Sequence, residues 1–125
     1  MRLLLDTHIF LWLTADDERL KAPARRLLAS ASQIFVSSAS IWEIAIKARV
    51  NKIQVDPEAA VEEMKICGFR ELPVLAKHAV VVSRLRLLHN DPFDRLLVAQ
   101  AITEPMRLLT ADARLAAYSE LVVVV

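Results

Sequence analysis

The chain predicts an α/β protein. We expect one domain over residues 1–125, a three-layer α/β/α sandwich around a central, mainly parallel sheet of about five strands. Three observations lead there. The composition is 55% hydrophobic with a single glycine, Gly68, which suits a compact, helix-rich core and excludes a disordered or fibrous chain. The apolar runs, such as Leu3-Leu4-Leu5, do not alternate with polar residues, so they read as strands covered on both faces. These short runs also alternate with helical patterns along the chain, without repeats or linkers, as parallel strands joined by helical crossovers require.

Arg2 to Leu5 is the first strand, followed by Asp6-Thr7-His8 and a helix through Ile9 to Leu13, so Asp6 stands at a strand's carboxyl end. Thr14 to Lys21 is polar and turn-like. Ala22 to Ala31 is helical, with Pro23 in its first turn. Gln33 to Val36 is the second strand. Ser37, Ser38 and Ser40 offer caps to a helix from Ile41 to about Val50. Ile41, Ile44 and Ala45 share its apolar face, while Glu43 and Lys47 share another side. Asp56-Pro57-Glu58 opens the next helix, and Gly68 suits its stop after Cys67. Phe69 to Val74 is a third strand. Leu75 to about Leu85 is a helix expected to pack through Ala79, Val80 and Val82. Asp91 and Pro92 cap and open the helix to Thr103, whose Leu96 to Ala101 is apolar on most sides. Met106 to Leu109 is the fourth strand, leading to Thr110-Ala111-Asp112 and a short helix from Ala113 to Tyr118. Leu121 to Val125 is a last strand, expected inside the sheet rather than at an interface edge.

Net charge is +1, which neither requires nor excludes nucleic acid, because a basic rim can surround an acidic pocket. One cysteine, Cys67, excludes an internal disulfide and a thiolate zinc cluster; as a half-buried residue it suits a reducing compartment. Met1 to Leu5 is too short for a signal segment, and no apolar run approaches spanning length. The expectation is a cytoplasmic protein with no membrane association.

Open parallel sheets place their sites beyond the carboxyl ends of the strands. Asp6 follows strand one, Asp112 follows strand four, and Glu43 lies early in the helix after strand two. Asp94 sits one turn into its helix, where the positive end favours an anion. Each acid has an ordinary role available: Asp6, Asp91 and Asp112 as caps, Glu43 as partner of Lys47. Gathered, they are costly, since like charges about 4 Å apart repel by roughly 4 kcal/mol at an effective dielectric near 20. Protons or a cation must compensate. Oxygen donors without a Cys or His cluster suit Mg²⁺ or Mn²⁺ rather than zinc. Ions held this way handle phosphates, polarising a phosphoryl oxygen, readying a water and stabilising a leaving oxygen, so a phosphodiester is hydrolysed without a protein nucleophile.

Around the acids, Lys47, Arg49 and Lys52 form a basic stripe, a solvated face that beside an acidic pocket can hold RNA phosphates. Arg95 is expected to pair with Asp94, with phosphate binding as the second reading. Trp12 and Trp42 are expected in the core and His8 as a packed histidine; His89 either begins a turn or touches substrate. An aspartyl-phosphate enzyme would want a second acid two residues after Asp6, where His8 stands. A silent metal- or RNA-binding module is the non-enzymatic alternative.

Asp6-Thr7-His8 with Leu11-Trp12-Leu13, then Ser37-Ser38-Ala39-Ser40-Ile41-Trp42-Glu43-Ile44-Ala45-Ile46-Lys47, then His89-x-Asp91-Pro92-Phe93-Asp94-Arg95-Leu96-Leu97-x-Ala99-Gln100-Ala101, then Leu109-Thr110-x-Asp112 resemble, in order, the motifs of PIN-domain proteins of the VapC toxin type. The resemblance spans nearly the whole chain. It implies a PIN fold and a Mg²⁺- or Mn²⁺-dependent endoribonuclease, commonly dimeric and held inactive by a cognate antitoxin. It places the family's catalytic and metal-binding acids on Asp6, Glu43, Asp94 and Asp112, with Thr110, Thr7 and Asp91 in support. A housekeeping nuclease of the same family is the alternative to a toxin. Two departures fall in loops and bear on substrate choice: Asn51 where relatives often carry glycine, and Arg86-Leu87-Leu88 where a proline often precedes the third motif.

Overall fold

A computed structural model describes all residues, 1–125. Strand β1 (Arg2–Leu5) is followed by α1 (Thr7–Thr14) and α2 (Ala22–Ser30), then β2 (Gln33–Ser37), α3 (Ser38–Arg49), α4 (Pro57–Ile66) and β3 (Arg70–Leu72). Helices α5 (Ala76–Val82) and α6 (Pro92–Thr103), β4 (Arg107–Thr110), a 3₁₀ helix (Ala113–Tyr118) and β5 (Val122–Val124) complete the chain. The strands form one sheet of order β3-β2-β1-β4-β5. Every pairing is parallel.

The period of two along each strand builds the layers. Leu3 and Leu5 point to one face and Leu4 to the other, and all three are fully buried. Leu3, Leu5, Leu109 and Val36 pack with Ile9, Phe10, Ala24, Leu28, Ile44, Ala60 and Met64, so α1 to α4 cover one side. Leu4 and Leu108 pack with Leu97, Val98, Ala101 and Leu115, so α6 and the 3₁₀ helix cover the other. That is the expected α/β/α sandwich, with β1 at its centre. Gly68 ends α4 with φ of 75°, and Asn51 after α3 adopts 59°, the left-handed turn that glycine would otherwise supply.

Several expectations are corrected. The strand near residue 124 is at the sheet edge, not inside it, since only β4 pairs with it. The third strand is three residues long because Pro73 follows it. Cys67 is exposed. Helix α3 begins at Ser38, with Ser37 as the cap, so the three serines straddle its start rather than precede it. Helix α5 does not pack through Ala79 and Val80, which are exposed; its buried residue is His78.

His78 has no solvent exposure. Its Nδ1 accepts the Leu75 backbone N–H at 2.9 Å, and its Nε2 meets the Glu104 carboxylate at 2.6 Å. It thereby joins the start of α5 to the end of α6. His78→Leu roughly keeps the volume but removes the Leu75 N–H acceptor and the buried partner of Glu104, which keeps only Lys77 at 3.1 Å, and should cost about 2 kcal/mol. The urea midpoint reads this, and a change below about 0.5 kcal/mol would contradict the role.

Candidate active site: acids at the carboxyl edge of the sheet

β1 delivers Asp6 to the sheet edge, where its side chain does two things. Oδ1 caps α1, accepting the backbone N–H of His8 at 2.7 Å and of Ile9 at 3.4 Å. Oδ2 accepts the hydroxyl of Thr110 at 2.8 Å, and Thr110 in turn accepts the Asp112 backbone N–H at 3.0 Å. Capping and convergence are therefore properties of one carboxylate, not alternatives. Thr7 donates to the Ser40 hydroxyl at 2.9 Å within the interior. That bond ties α1 to α3, the helix that carries Glu43.

Glu43 is 3% exposed. Its Oε2 meets Lys47 Nζ at 2.8 Å, so the ordinary ion pair is present. Its Oε1 is buried with no hydrogen-bond partner. Burial works against the Lys47 charge, yet the Glu43 hydrogen bond and the nearby carboxylates hold its affinity for the proton above the usual value. Asp91 caps α6, accepting from the backbone of Phe93 at 2.8 Å and Asp94 at 3.3 Å. Asp94 follows in the first turn. Burial, and then the charges of Asp91, Asp6 and Glu43, push its carboxyl up to about 7, with His89 opposing them. The acids expected from the sequence thus share one electrostatic neighbourhood.

A cleft of about 450 Å³ opens over them, walled by Asp6, Asp91, Asp94 and Asp112. Glu43 does not line it and lies behind the wall. Asp112 differs from the other acids. It caps the 3₁₀ helix through the Arg114 backbone N–H at 3.0 Å, and the Arg114 guanidinium grips both of its oxygens at 3.0 and 2.8 Å. His89 Nε2 reaches Oδ2 at 3.1 Å. These donors, the Arg114 guanidinium foremost, hold the Asp112 carboxyl well below the usual carboxylate range.

The donor set suits a hard divalent cation. Glu43 Oε1 is an orphaned buried acceptor, and Asp94 is a carboxyl whose ionisation burial and then its acidic neighbours disfavour. Both are marks of negative charge in excess of what the protein compensates. The atoms on offer at Asp6, Glu43 and Asp94 are oxygens, as Mg²⁺ and Mn²⁺ prefer. Thr110→Val removes the bond that aims Asp6 while leaving the acid. By analogy with other outer partners of metal-ligating groups it should lower activity or Mn²⁺ affinity about 10- to 100-fold. Kinetics with a Mn²⁺ titration check this; an unchanged variant would remove Thr110 from the site.

Other expectations are corrected here. Arg95 neither pairs with Asp94 nor faces the cleft; its guanidinium donates to the carbonyls of Val82 at 3.3 Å and Leu85 at 3.2 Å, stapling the end of α5 to α6. Of the basic stripe, Arg49 and Lys52 are exposed, as a solvated face requires, while half-buried Lys47 turns inward to Glu43. His8 is not packed, with 59% of its side chain exposed at the cleft wall. Trp42 is not in the core: it is 62% exposed and meets the Phe93 ring edge-on at 5.3 Å. Trp12 does pack against the core, half-buried, and also lines the cleft beneath the Arg19 guanidinium. Arg114 escapes the sequence reading altogether. Its signal is the Asp-x-Arg spacing, in which a capping acid draws back the arginine two residues on, as Asp17 does with Arg19.

A five-stranded parallel sheet with a carboxylate cluster at its carboxyl edge defines the class: an α/β domain that gathers acids at one end of its sheet. The chain belongs to the PIN-domain family, whose description matches residues 3–121. It is 31% identical over 118 residues to Ribonuclease VapC22 of Mycobacterium tuberculosis (strain ATCC 25618 / H37Rv), covering 90% of this chain and 88% of that one. The fold is also that of VapBC2 from Rickettsia felis, solved bound to a DNA fragment from their promoter, at TM-score 0.67 and 22% identity over 98% of this chain and 96% of that one. FitAcB from Neisseria gonorrhoeae matches at TM-score 0.67 and 16% identity, over 98% and 96% of the two chains.

Proposed function

We propose that the protein is a metal-dependent endoribonuclease, the toxin of a toxin–antitoxin pair, working in the cytoplasm with Mg²⁺ or Mn²⁺. The observation that carries the chemistry is the orphaned Glu43 Oε1 together with an Asp94 whose carboxyl is pushed up to about 7 by burial and then by the charges of Asp91, Asp6 and Glu43. Asp6, Glu43 and Asp94 would hold the ion, directly or through water, with Asp112 completing the cage or serving a second ion. A bound ion would polarise the phosphate and ready a water for in-line hydrolysis, with a 5′-phosphate and a 3′-hydroxyl as products. The protein's own task is aim. Thr110 and the α1 backbone fix Asp6, Thr7 and Ser40 lock α1 against α3, and the buried Leu97 to Ala101 set the direction of Asp94.

RNA as the substrate is supported by the relative named as a ribonuclease. An antitoxin partner is supported by the VapBC2 relative and by an exposed apolar stripe on α3, where Trp42, Ile46 and Val50 recur at helical spacing. A homodimer is the expected oligomer, readable by light scattering. No helix is long and apolar enough to cross a membrane.

The test is cleavage of single-stranded and structured RNA by purified protein. Cleavage should need added Mg²⁺ or Mn²⁺, stop with EDTA, and disappear in Asp94→Asn. Equal cleavage by that variant, or cleavage that survives EDTA, would refute the assignment. A small gene for a DNA-binding protein is expected just upstream, and co-expression with its product should silence the activity; absence of such a gene, or persistent activity in a stable complex, would refute the toxin reading.

A further inference from the structure

The acids at the sheet edge suit a cation and, through it, a phosphate, but they offer nothing to a nucleobase. A nucleobase is held by a flat surface with a π-face, which aromatic side chains and arginine supply. One wall of the cleft is such a surface. His8 and Trp12 stand four residues apart on α1, so they share one face of that helix, and both line the cleft beside Asp6. Their ring centroids are 6.2 Å apart, with the planes inclined at 54°. The His8 side chain is 59% exposed, and its Nδ1 lies 3.9 Å from Asp6 Oδ1, beyond hydrogen-bond reach. Trp12 is half-buried: one part packs against the core and another walls the cleft.

The segment after α1 is braced so that Arg19 lies over this tryptophan. The Asp17 backbone N–H donates to the Trp12 carbonyl at 2.8 Å. The Arg25 guanidinium donates to the carbonyls of Asp17 at 3.0 Å and of Leu20, a buried residue, at 2.8 Å. Asp17 in turn holds Arg19, accepting from Nε at 3.1 Å and from Nη2 at 2.7 Å. The guanidinium carbon thereby rests 5.1 Å from the Trp12 ring centroid. The bonds to Asp17 leave both N–H groups of Nη1 free. A cover for Trp12 alone would account for Arg19 but not for an unpaired His8 ring set beside it on the cleft wall.

We propose that His8 and Trp12, with Arg19 laid over the tryptophan, form a platform on which an unpaired nucleobase of the RNA stacks beside the acids. The proposal rests on the ribonuclease reading for the identity of the polymer. Arg19 covers one part of the indole, and the base takes the His8 ring and the part of Trp12 that walls the cleft. A base reaches that surface only by leaving its helical stack, which an unpaired nucleotide does at lower cost than a paired one. The platform therefore selects loops and single strands over duplex. It does so without reading sequence, since every base has a π-face. Arg19 adds a positive charge to this side of the cleft, where the acids would otherwise repel the incoming strand.

The experiment uses His8→Ala, His8→Phe, Trp12→Leu, Trp12→Phe and Arg19→Ala with a short single-stranded, mixed-sequence, fluorescein-labelled RNA. The same RNA is also annealed to its complement, and made with an abasic nucleotide at successive positions. Binding is read by anisotropy in EDTA across a salt series, kcat and KM are read in Mn²⁺, and each variant is melted. The wild type should bind and cut the single strand at least about tenfold better than the duplex. Trp12→Leu, which keeps an apolar side chain, should raise Kd and KM about tenfold with kcat little changed, and Trp12→Phe should recover much of that. His8→Ala should raise KM about threefold and His8→Phe should restore it, because the ring face is used and not its nitrogens. Arg19→Ala should lower the salt slope by about 0.7, the loss of one charge facing a single strand. One abasic position should cost the wild type about tenfold and cost Trp12→Leu little more, since both remove the same contact. An abasic loss that adds in full to Trp12→Leu, or an unchanged KM in both Trp12→Leu and His8→Ala, overturns the platform. Where Trp12→Leu lowers the melting temperature strongly, the exposed His8 decides, and an equal KM in His8→Ala and His8→Phe overturns it. If the wild type binds RNA with the expected Trp12 dependence but cuts nothing, the ribonuclease reading fails and the platform stands. If it binds no RNA with or without Mn²⁺, both fall.

Discussion

Asp6→Asn should abolish RNA cleavage and leave the melting temperature in place. The activity loss should be at least about 10³-fold, the scale of roughly 4 kcal/mol of electrostatic stabilisation removed from a transition state. The fold should survive because Asn caps a helix as well as Asp does. Its side-chain oxygen can still accept from His8 and Ile9, where Oδ1 does now. The amide can donate to Thr110, whose hydroxyl turns from donor to acceptor. The substitution also removes one of the charges that burden Asp94. Asp6→Ala separates the two duties. It should be equally inactive but less stable by about 1 kcal/mol or more, since the cap goes and the buried Thr110 hydroxyl loses its acceptor. Cleavage assays paired with thermal melts check this. A variant Asp6→Asn that cuts at near-normal rate would remove Asp6 from the chemistry, and one that unfolds would make it structural.

The layers and the meeting of the acids were legible because they follow from period and topology. Leu3, Leu4 and Leu5 announce a strand buried on both faces, and a parallel sheet then carries whatever follows its strands to one edge. Asp6, Thr110 and Asp112 sit there for that reason. Side-chain choices made in three dimensions were not legible. Whether Arg95 turns to Asp94 or to the carbonyls ending α5 depends on how α5 crosses α6, and residue spacing within one helix holds no information on that. Nothing in the run Lys77-His78-Ala79 marks His78 as buried. Only Glu104, brought in from the far end of α6, makes its burial possible. Trp42 failed as a core residue because α3 buries its other faces, through Ala39, Ser40, Glu43 and Ile44. Composition puts tryptophan inside; the helix angle of this one puts it outside.

Binding of Mg²⁺ or Mn²⁺ should be strongly pH-dependent, and should reverse the effect of pH on stability. In the metal-free protein Asp94 titrates near 7, against 3.8 for the ordinary group, because burial and the charges of Asp91, Asp6 and Glu43 disfavour its ionisation. A carboxyl raised in the folded state favours folding fully only below its unfolded value. Its contribution is lost as pH rises from about 4 to about 7, because the unfolded chain ionises there at no cost. The depressed Asp112 contributes in the opposite sense, but below 3.8, so the windows do not overlap. Metal-free protein should therefore lose melting temperature between pH 5 and pH 8 through this group, and Asp94→Asn should remove much of that loss. A cation inverts the sign, since it binds the ionised carboxylate and must displace the proton to do so. Below pH 7 the affinity should rise up to about tenfold per pH unit, flattening above, and the thermal shift given by saturating Mn²⁺ should be larger at pH 8 than at pH 6. Melting curves with and without Mn²⁺ across that range decide it. A metal shift independent of pH would mean that the ion binds away from Asp94. A pH-independent melt of the metal-free protein, unchanged in Asp94→Asn, would mean that the acids are farther apart in solution than their mutual effect on Asp94 requires.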